Sequence, residues 1–264
     1  MTKYHDEGHP SVDGPTGRRH SVPTRKAPQR ATIRIARKLV ERIRRRRLQP
    51  GTKLEAEHQM VEELGAARAT VREALRFLEL QGALRIKAGP GGGPVVSVPG
   101  ADHLASVLSL HLQFAEASFR SVVDARCSLY PVLAAEAAEN ASREEVLMLQ
   151  ASIARVHAAV QDPEFFTSEA RRFMSLLAAA SGNRVLALLV DALHRMSEGI
   201  GEWDERQRRS ALRSYEQVVA AIERGEPDEA RSILKKSLTA AARHWERTAP
   251  DELKQPIAWI DSER

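Results

Sequence analysis

The chain has 264 residues, of which 42% are hydrophobic and only 5% aromatic, with one cysteine and a formal charge of +5. This length suits two modest domains with buried cores, and a lone cysteine excludes an intramolecular disulfide framework and a Cys-rich zinc finger. No apolar run approaches the ~20 residues needed to cross a bilayer, and the polar N-terminus lacks a signal-peptide core, so a cytoplasmic protein with no membrane partner is expected.

Met1 to Pro28 mixes Pro, Gly, His, Ser and charge without apolar periodicity and is expected to be a disordered basic tail. Arg18, Arg19, Arg25 and Lys26 suit phosphate tracking or simple solvation, and His5, His9 and His20 are too loosely spaced for a metal site. A first domain is expected over 29–98. It begins with a helix from Ala31 to Arg47, carrying Ile35, Ala36, Leu39, Val40 and Ile43 on one face and ending in the cluster Arg44 to Arg47. Those cations favour both the negative helix end and nearby phosphates. Pro50-Gly51 stops the helix.

A second short helix is expected from Leu54 to Leu64, then a turn at Gly65, then a third helix in which Val71, Ala74, Leu75 and Leu78 share an apolar face. Arg68, Arg72 and Arg76 recur every fourth residue on its flank, with Thr70 near its start. Such a face fits a solvated surface helix as well as a DNA-reading one. The helix-turn-helix spacing and the following segment favour the second reading, because Arg offers bidentate contacts to guanine edges and phosphates. After Gly82, the β-prone runs Leu84-Arg85-Ile86 and Val95 to Val98 bracket a Gly-rich stretch from Lys87 to Pro94, which predicts a hairpin.

The order Leu48-Gln49-Pro50-Gly51, Leu54, Leu64-Gly65, Arg68, Val71-Arg72-Glu73-Ala74-Leu75, Leu78, Gly82 and the Gly-rich wing resembles the winged helix-turn-helix of the GntR superfamily of bacterial transcription regulators. The resemblance implies that Arg68, Thr70 and Arg72 meet DNA from the reading helix, with Arg76 on the same flank and Gly89 at a wing tip in the minor groove. Two departures stand out: Ala67 replaces the usual Ser or Thr, which removes a side-chain cap, and His58 replaces an Arg near the start of the second helix.

Pro99-Gly100 marks a boundary in pattern and in charge. Residues 1–100 hold 20 Lys and Arg against 10 Asp and Glu, a balance of +10, whereas residues 101–264 hold 20 against 25, or −5. A basic first half is the electrostatic footprint of DNA binding. Beyond the boundary the pattern is helical almost throughout. Helices are expected at 102–116, 119–140, 142–161, 163–181, 184–199, 204–224 and 227–247, with capping signals at Ser142 and Glu145, Asp162-Pro163, Gly182-Asn183 and Gly225. The fold class is therefore mainly α: an N-terminal winged helix-turn-helix followed by an all-helical bundle over 102–247, with a C-terminal tail at 248–264.

The bundle resembles the FCD ligand-sensing domain of the FadR branch of the same superfamily. The residues carrying this are Asp124-Ala125-Arg126, Leu133-Ala134-Ala135, Phe173, Ser181-Gly182-Asn183, Ala221 to Gly225 and Ala230-Arg231. Metal-binding members carry imidazoles and an acid where this chain has Met174, Ala170, Tyr215 and Ser237. Those side chains make no first shell for a divalent ion, so neither metal nor other cofactor is expected, although Asp124 and Glu169 leave a shifted site open. His103, His111, His157, His194 and His244 are read as surface or satisfied core residues, and Cys127 as a small apolar side chain.

The resemblance implies a small carboxylate or acyl effector. Arg126 and Arg195 are the candidate acid-binding cations, with Tyr215 as a hydroxyl donor and Met174 as an apolar wall; ordinary salt bridging explains the two arginines equally well. Trp203, Trp245 and Trp259 are read as packing residues. The expected function is that of a sequence-specific transcriptional regulator, a repressor, binding a double-stranded DNA operator as a homodimer and tuned by the effector. Two other classes remain: a nonspecific nucleic-acid-binding protein, and a small-acid-processing enzyme, for which no nucleophile or phosphate-loop motif is found.

Overall fold

The computed structural model describes residues 26–89, 91–197 and 203–261. The expected tail therefore lies outside the described residues except at Lys26, where helix α1 (Lys26–Arg45) already begins, so its last three residues are helical. Pro28 is tolerated in the first turn, where the missing N–H has no partner to lose.

Helices α2 (Glu57–Leu64) and α3 (Arg68–Leu80) pack on α1 through Ile35, Ala36, Leu39, Met60, Val71, Ala74, Leu75 and Leu78, all buried. Gly65 ends α2 in the left-handed region at φ 57°, which turns the chain sharply into α3. Strands β1 (Leu84–Lys87) and β2 (Gly93–Val96) form the antiparallel wing, pairing Leu84 with Val96 and Lys87 with Gly93. The start of α2 and the bounds of β2 differ from expectation. The far edge of β2 pairs with the segment after α1: Gly51 N–H donates to Val96 O, Val96 N–H to Thr52 O and Leu54 N–H to Pro94 O. Leu54 is thus extended core rather than helix and α2 starts three residues later, while β2 runs from Gly93 to Val96 rather than from Val95 to Val98.

The second half is a helical bundle of α4 (Ala101–Phe114), α5 (Phe119–Asn140), α6 (Arg143–Ala158), α7 (Pro163–Ala180), α8 (Arg184–Met196), α9 (Glu205–Arg224), α10 (Pro227–Thr248) and α11 (Pro250–Lys254). α5 is its axis, packed against α7, α8, α9 and α10. Its buried Tyr130, Leu133, Ala134 and Ala137 meet Phe166, Phe173 and Leu177 of α7, Val218 and Ile222 of α9 and Leu234 of α10. The capping signals act as expected: Ser142 and Glu145 form a capping box, Asp162 accepts from Glu164 N–H and Phe165 N–H, Asn183 accepts from Leu186 N–H, and Gly225 closes α9 at φ 68°.

The region after residue 247, expected as a tail, is not one over its described part. Leu253 and Ile257 are buried, Ile257 N–H donates to Ala117 O at 2.9 Å, and Trp259 Nε1 donates to Ser106 Oγ at 3.0 Å. Apolar residues at 253, 257 and 260 close over α4 and α5, which supplies the burial that a free tail lacks.

Candidate nucleic-acid interface and a cationic cavity

The apolar stripe of α3 faces the winged-helix core, which leaves Arg68, Arg72 and Arg76 exposed on the opposite flank and Thr70 half-buried. Ala67 stands at the N-cap with no side-chain hydrogen bond, so the cap is backbone only. The arginines are held, not loose. Glu57, the first residue of α2, accepts from Arg68 Nε at 3.2 Å and from Arg72 at 3.1 Å (Nη2) and 3.4 Å (Nε). The hydrogen bond from Arg72, more than that from Arg68, holds the Glu57 carboxyl below its ordinary range. Arg76 lies 3.7 Å from Glu73, and His58 is exposed beside Glu57. Sequence reasoning passed over Glu57; an acid at a helix start followed by arginines one helix later was the available signal.

Gly89 sits in the wing turn at φ +90° with open space around it, a conformation that disfavours other side chains. Gly92 is sterically tighter, since a Cβ there would lie 2.2 Å from Lys87 O. Lys53 Nζ donates to Gly91 O and ties the turn to the strand-like segment after α1. Arg85 and Lys87 are exposed on β1. In the cluster at the end of α1, Arg45 pairs with Glu41 and Arg46 with Glu55.

A cavity of about 680 Å³ opens inside the bundle, between α5, α7, α9 and the ends of α8 and α10. Arg126, Met174 and Tyr215, expected together, do line it. Arg195 does not: its Nε donates to Asp102, across the α4–α8 packing and away from the bundle centre. Ser237 also faces elsewhere, into a groove between α9 and α10, while its neighbour Leu238 lines the cavity. Arg171 and His194 are in the lining instead, two residues the sequence reading did not place there.

Arg126 organises one end. Its Nη1 donates to Ser197 Oγ at 2.7 Å, its guanidinium lies over the Tyr130 ring at 5.1 Å, and its Nε is buried with no hydrogen-bond partner. No carboxylate pairs with it among the described residues. Burial first, and then Arg126 and Arg171, push the His194 imidazole down to about 3, so it is neutral at physiological pH. Tyr215 stacks on Phe173 with centroids 4.4 Å apart, and burial raises its phenol to about 12, which keeps it a neutral donor. At the other end Phe166, Trp203 and Trp245 form an aromatic wall, with centroids 6.0 and 5.9 Å apart in succession.

This lining does not fit a divalent metal. Its single imidazole, His194, feels the Arg126 and Arg171 guanidiniums, which repel a cation, and its two carboxylates, Asp162 and Glu164, stand at the start of α7, where Asp162 is engaged in capping the helix. Among the described residues no three His, Cys, Asp or Glu side chains come together. Asp124 pairs with Arg120 at 3.0 Å on the outer face, and Glu169 with Arg155 at 3.0 Å. Cys127 is half-buried beside the Val123 and Trp245 cluster, and burial raises its thiol. Among the described residues no helix is long and apolar enough to cross a membrane.

A winged helix-turn-helix with an arginine-bearing reading helix, joined to a bundle with an internal cationic cavity, defines a ligand-responsive DNA-binding regulator. Residues 31–93 match the family described as bacterial regulatory proteins, gntR family, and residues 121–240 match the FCD domain. The chain is 26% identical over 219 residues to the HTH-type transcriptional repressor NanR of Enterobacter sp. (strain 638), covering 80% of this chain and 84% of that protein. It is 25% identical over 216 residues to the Exu regulon transcriptional regulator of Escherichia coli (strain K12), covering 78% and 81%. The solved structure of Streptococcus agalactiae GntR shares the fold, with a TM-score of 0.65 at 23% identity over 80% of this chain and 99% of that one. The chain belongs to the GntR family, with an FCD domain as its C-terminal half, and is a DNA-binding transcriptional regulator with a ligand-sensing domain.

Proposed function

We propose that the protein is a repressor that binds a two-fold symmetric operator as a homodimer and is released by a small anionic effector. The observation that carries the effector reading is Arg126, whose buried Nε has no partner and whose guanidinium has no carboxylate to neutralise it among the described residues. Leaving such a donor unmet inside a protein costs about 1–3 kcal/mol, a cost that a bound carboxylate removes. Arg126, Tyr215 and Met174 are assigned to the effector, with Arg171 and His194 added. Arg68, Thr70, Arg72, Arg76, His58 and the wing turn at Gly89 are assigned to the operator, and the exposure of all of them but the half-buried Thr70 supports this.

Self-association is assigned to the α4–α8 pair. The pairing of Asp102 with Arg195 sets these helices antiparallel, so Val107, Leu110 and Phe114 run beside Val185, Leu188 and Leu189, all exposed apolar side chains. A second copy covers such a face by two-fold symmetry and presents a second reading helix to the adjacent half-site. The repressors among the relatives agree with the sign of regulation.

The test is operator binding by purified protein across a panel of small carboxylates. Release of a palindromic site by one of them, lost in Arg126→Met, is the expected outcome. Operator affinity that no acid shifts overturns the effector reading. Turnover of the bound acid would favour an enzyme, and equal affinity for unrelated duplexes a nonspecific coat protein.

A further inference from the structure

The geometry points to a flat aryl carboxylate, held directly by Arg126 and Tyr215 against the Phe166, Trp203 and Trp245 wall, as the chemical class of effector. This rests on the effector reading above and narrows it. Thr167 Oγ1 donates to Pro163 O at 2.9 Å, Ser168 Oγ to Phe165 O at 2.9 Å, Ser197 Oγ to His194 O at 2.9 Å and Tyr130 Oη to Val190 O at 3.3 Å. Each lining hydroxyl on that path has spent its proton on the backbone. Arg126 Nε, by contrast, is buried with no hydrogen-bond partner, and Tyr215 lines the same cavity.

The Arg126 guanidinium and the Tyr215 phenol suit one carboxylate, whose two oxygens accept from them. A polyhydroxylated acid would find Arg171, Asp162 and Glu164 in the lining, but those of its hydroxyls laid against the Phe166, Trp203 and Trp245 rings would lose their hydration unpaired. The remaining volume is walled by rings. Phe166 and Trp245 are buried, Trp203 contacts both, in tilted and edge-on arrangements, and all three line the space. An aromatic body gains from such a wall beyond the apolar area it buries, and a saturated chain of equal size does not. The site is small enough to select on this basis, at about 680 Å³.

The experiment titrates the full chain with benzoate, phenylacetate and cinnamate, with cyclohexanecarboxylate and hexanoate as saturated acids, with gluconate and galacturonate as polyhydroxylated acids, and with benzamide. Binding is read by calorimetry and by tryptophan fluorescence, with and without EDTA. The expected result is that at least one aryl acid binds tenfold or more tighter than every saturated or polyhydroxylated acid and than benzamide, quenches tryptophan emission, and is indifferent to EDTA. Arg126→Met should lose tenfold or more, and Trp203→Leu should narrow the gap between aryl and saturated acids. Tighter binding of a polyhydroxylated or saturated acid, binding that EDTA abolishes, or no binding of any aryl acid at millimolar concentration overturns the inference. If gluconate or galacturonate binds and releases the operator, the effector reading survives and this narrowing fails. If an aryl acid binds without changing operator affinity, the reverse holds.

Discussion

The imidazole of His103, in the first turn of α4, fills the space a side chain on Gly82 would need: a Cβ there would lie 2.5 Å from His103 Nε2. Gly82 follows the end of the reading helix at φ +69°, so the ligand-sensing half touches the reading helix at its exit. Asp102, next to His103, pairs with Arg195 of α8, and Arg195 follows the cavity-lining His194. A contiguous path thus joins the cavity to α3. On the proposed reading, Asp102→Asn should leave operator and effector affinities within about twofold while reducing their coupling from the ordinary ~1–3 kcal/mol toward zero. Operator titrations with and without effector measure it, and undiminished coupling would sink the path.

Gly82→Ala should destabilise the winged half by roughly 1–3 kcal/mol, from a left-handed backbone and the His103 clash together. His103→Ala in the same chain should recover the steric part and leave the backbone part, of about 1 kcal/mol. Thermal unfolding of both variants checks the split; no recovery would mean that His103 yields freely.

At the DNA face, Arg72→Ala should weaken specific operator binding by ~1–3 kcal/mol with folding intact. Glu57→Gln tests the grip on Arg68 and Arg72 separately. Removing the acid raises the local positive charge, so nonspecific duplex binding should tighten and the salt slope steepen, while the ratio of specific to nonspecific affinity falls severalfold. An unchanged ratio would show that Glu57 does not orient the two guanidiniums.

His194 makes stability fall on the acid side. Its folded value of about 3 lies below the ordinary 6.5, so between those limits the unfolded chain binds a proton that the folded chain refuses. No penalty exists above pH 6.5; it grows as pH falls and reaches of order 2 kcal/mol near pH 5. His194→Gln should flatten that part of the pH profile, measured by urea unfolding at pH 7 and pH 5. Parallel profiles for the two proteins would refute it.

Phe114→Asp should abolish the proposed α4–α8 self-association, since Phe114 and Val185 are among the most exposed apolar side chains of the bundle. Sedimentation should then report a monomer with unchanged helix content and weakened binding to the full palindrome. A dimer that persists places the interface elsewhere.

The sequence by itself determined the helices and their caps, because the 3.6-residue apolar period, Ser142 with Glu145, Asp162-Pro163 and Gly225 act within a few residues of one another. It also determined the exposed flank of α3, since burying Val71, Ala74 and Leu75 leaves Arg68, Arg72 and Arg76 no other side. Tertiary structure decided whatever depended on meetings between distant residues. Leu54 became strand-like because Pro94 and Val96 were there to pair with its segment, and the chain beyond 247 folded back because α4 and α5 offered an apolar seat for Ile257. Arg126 and Arg195 are equivalent as residues on helices. Only the antiparallel packing of α4 on α8 gave Arg195 a carboxylate in Asp102, while the packing of α5 against α7 and α9 left Arg126 facing a cavity with its Nε unmatched. Charge neutralisation across a helix interface is a property of the partner's position, which no local pattern encodes.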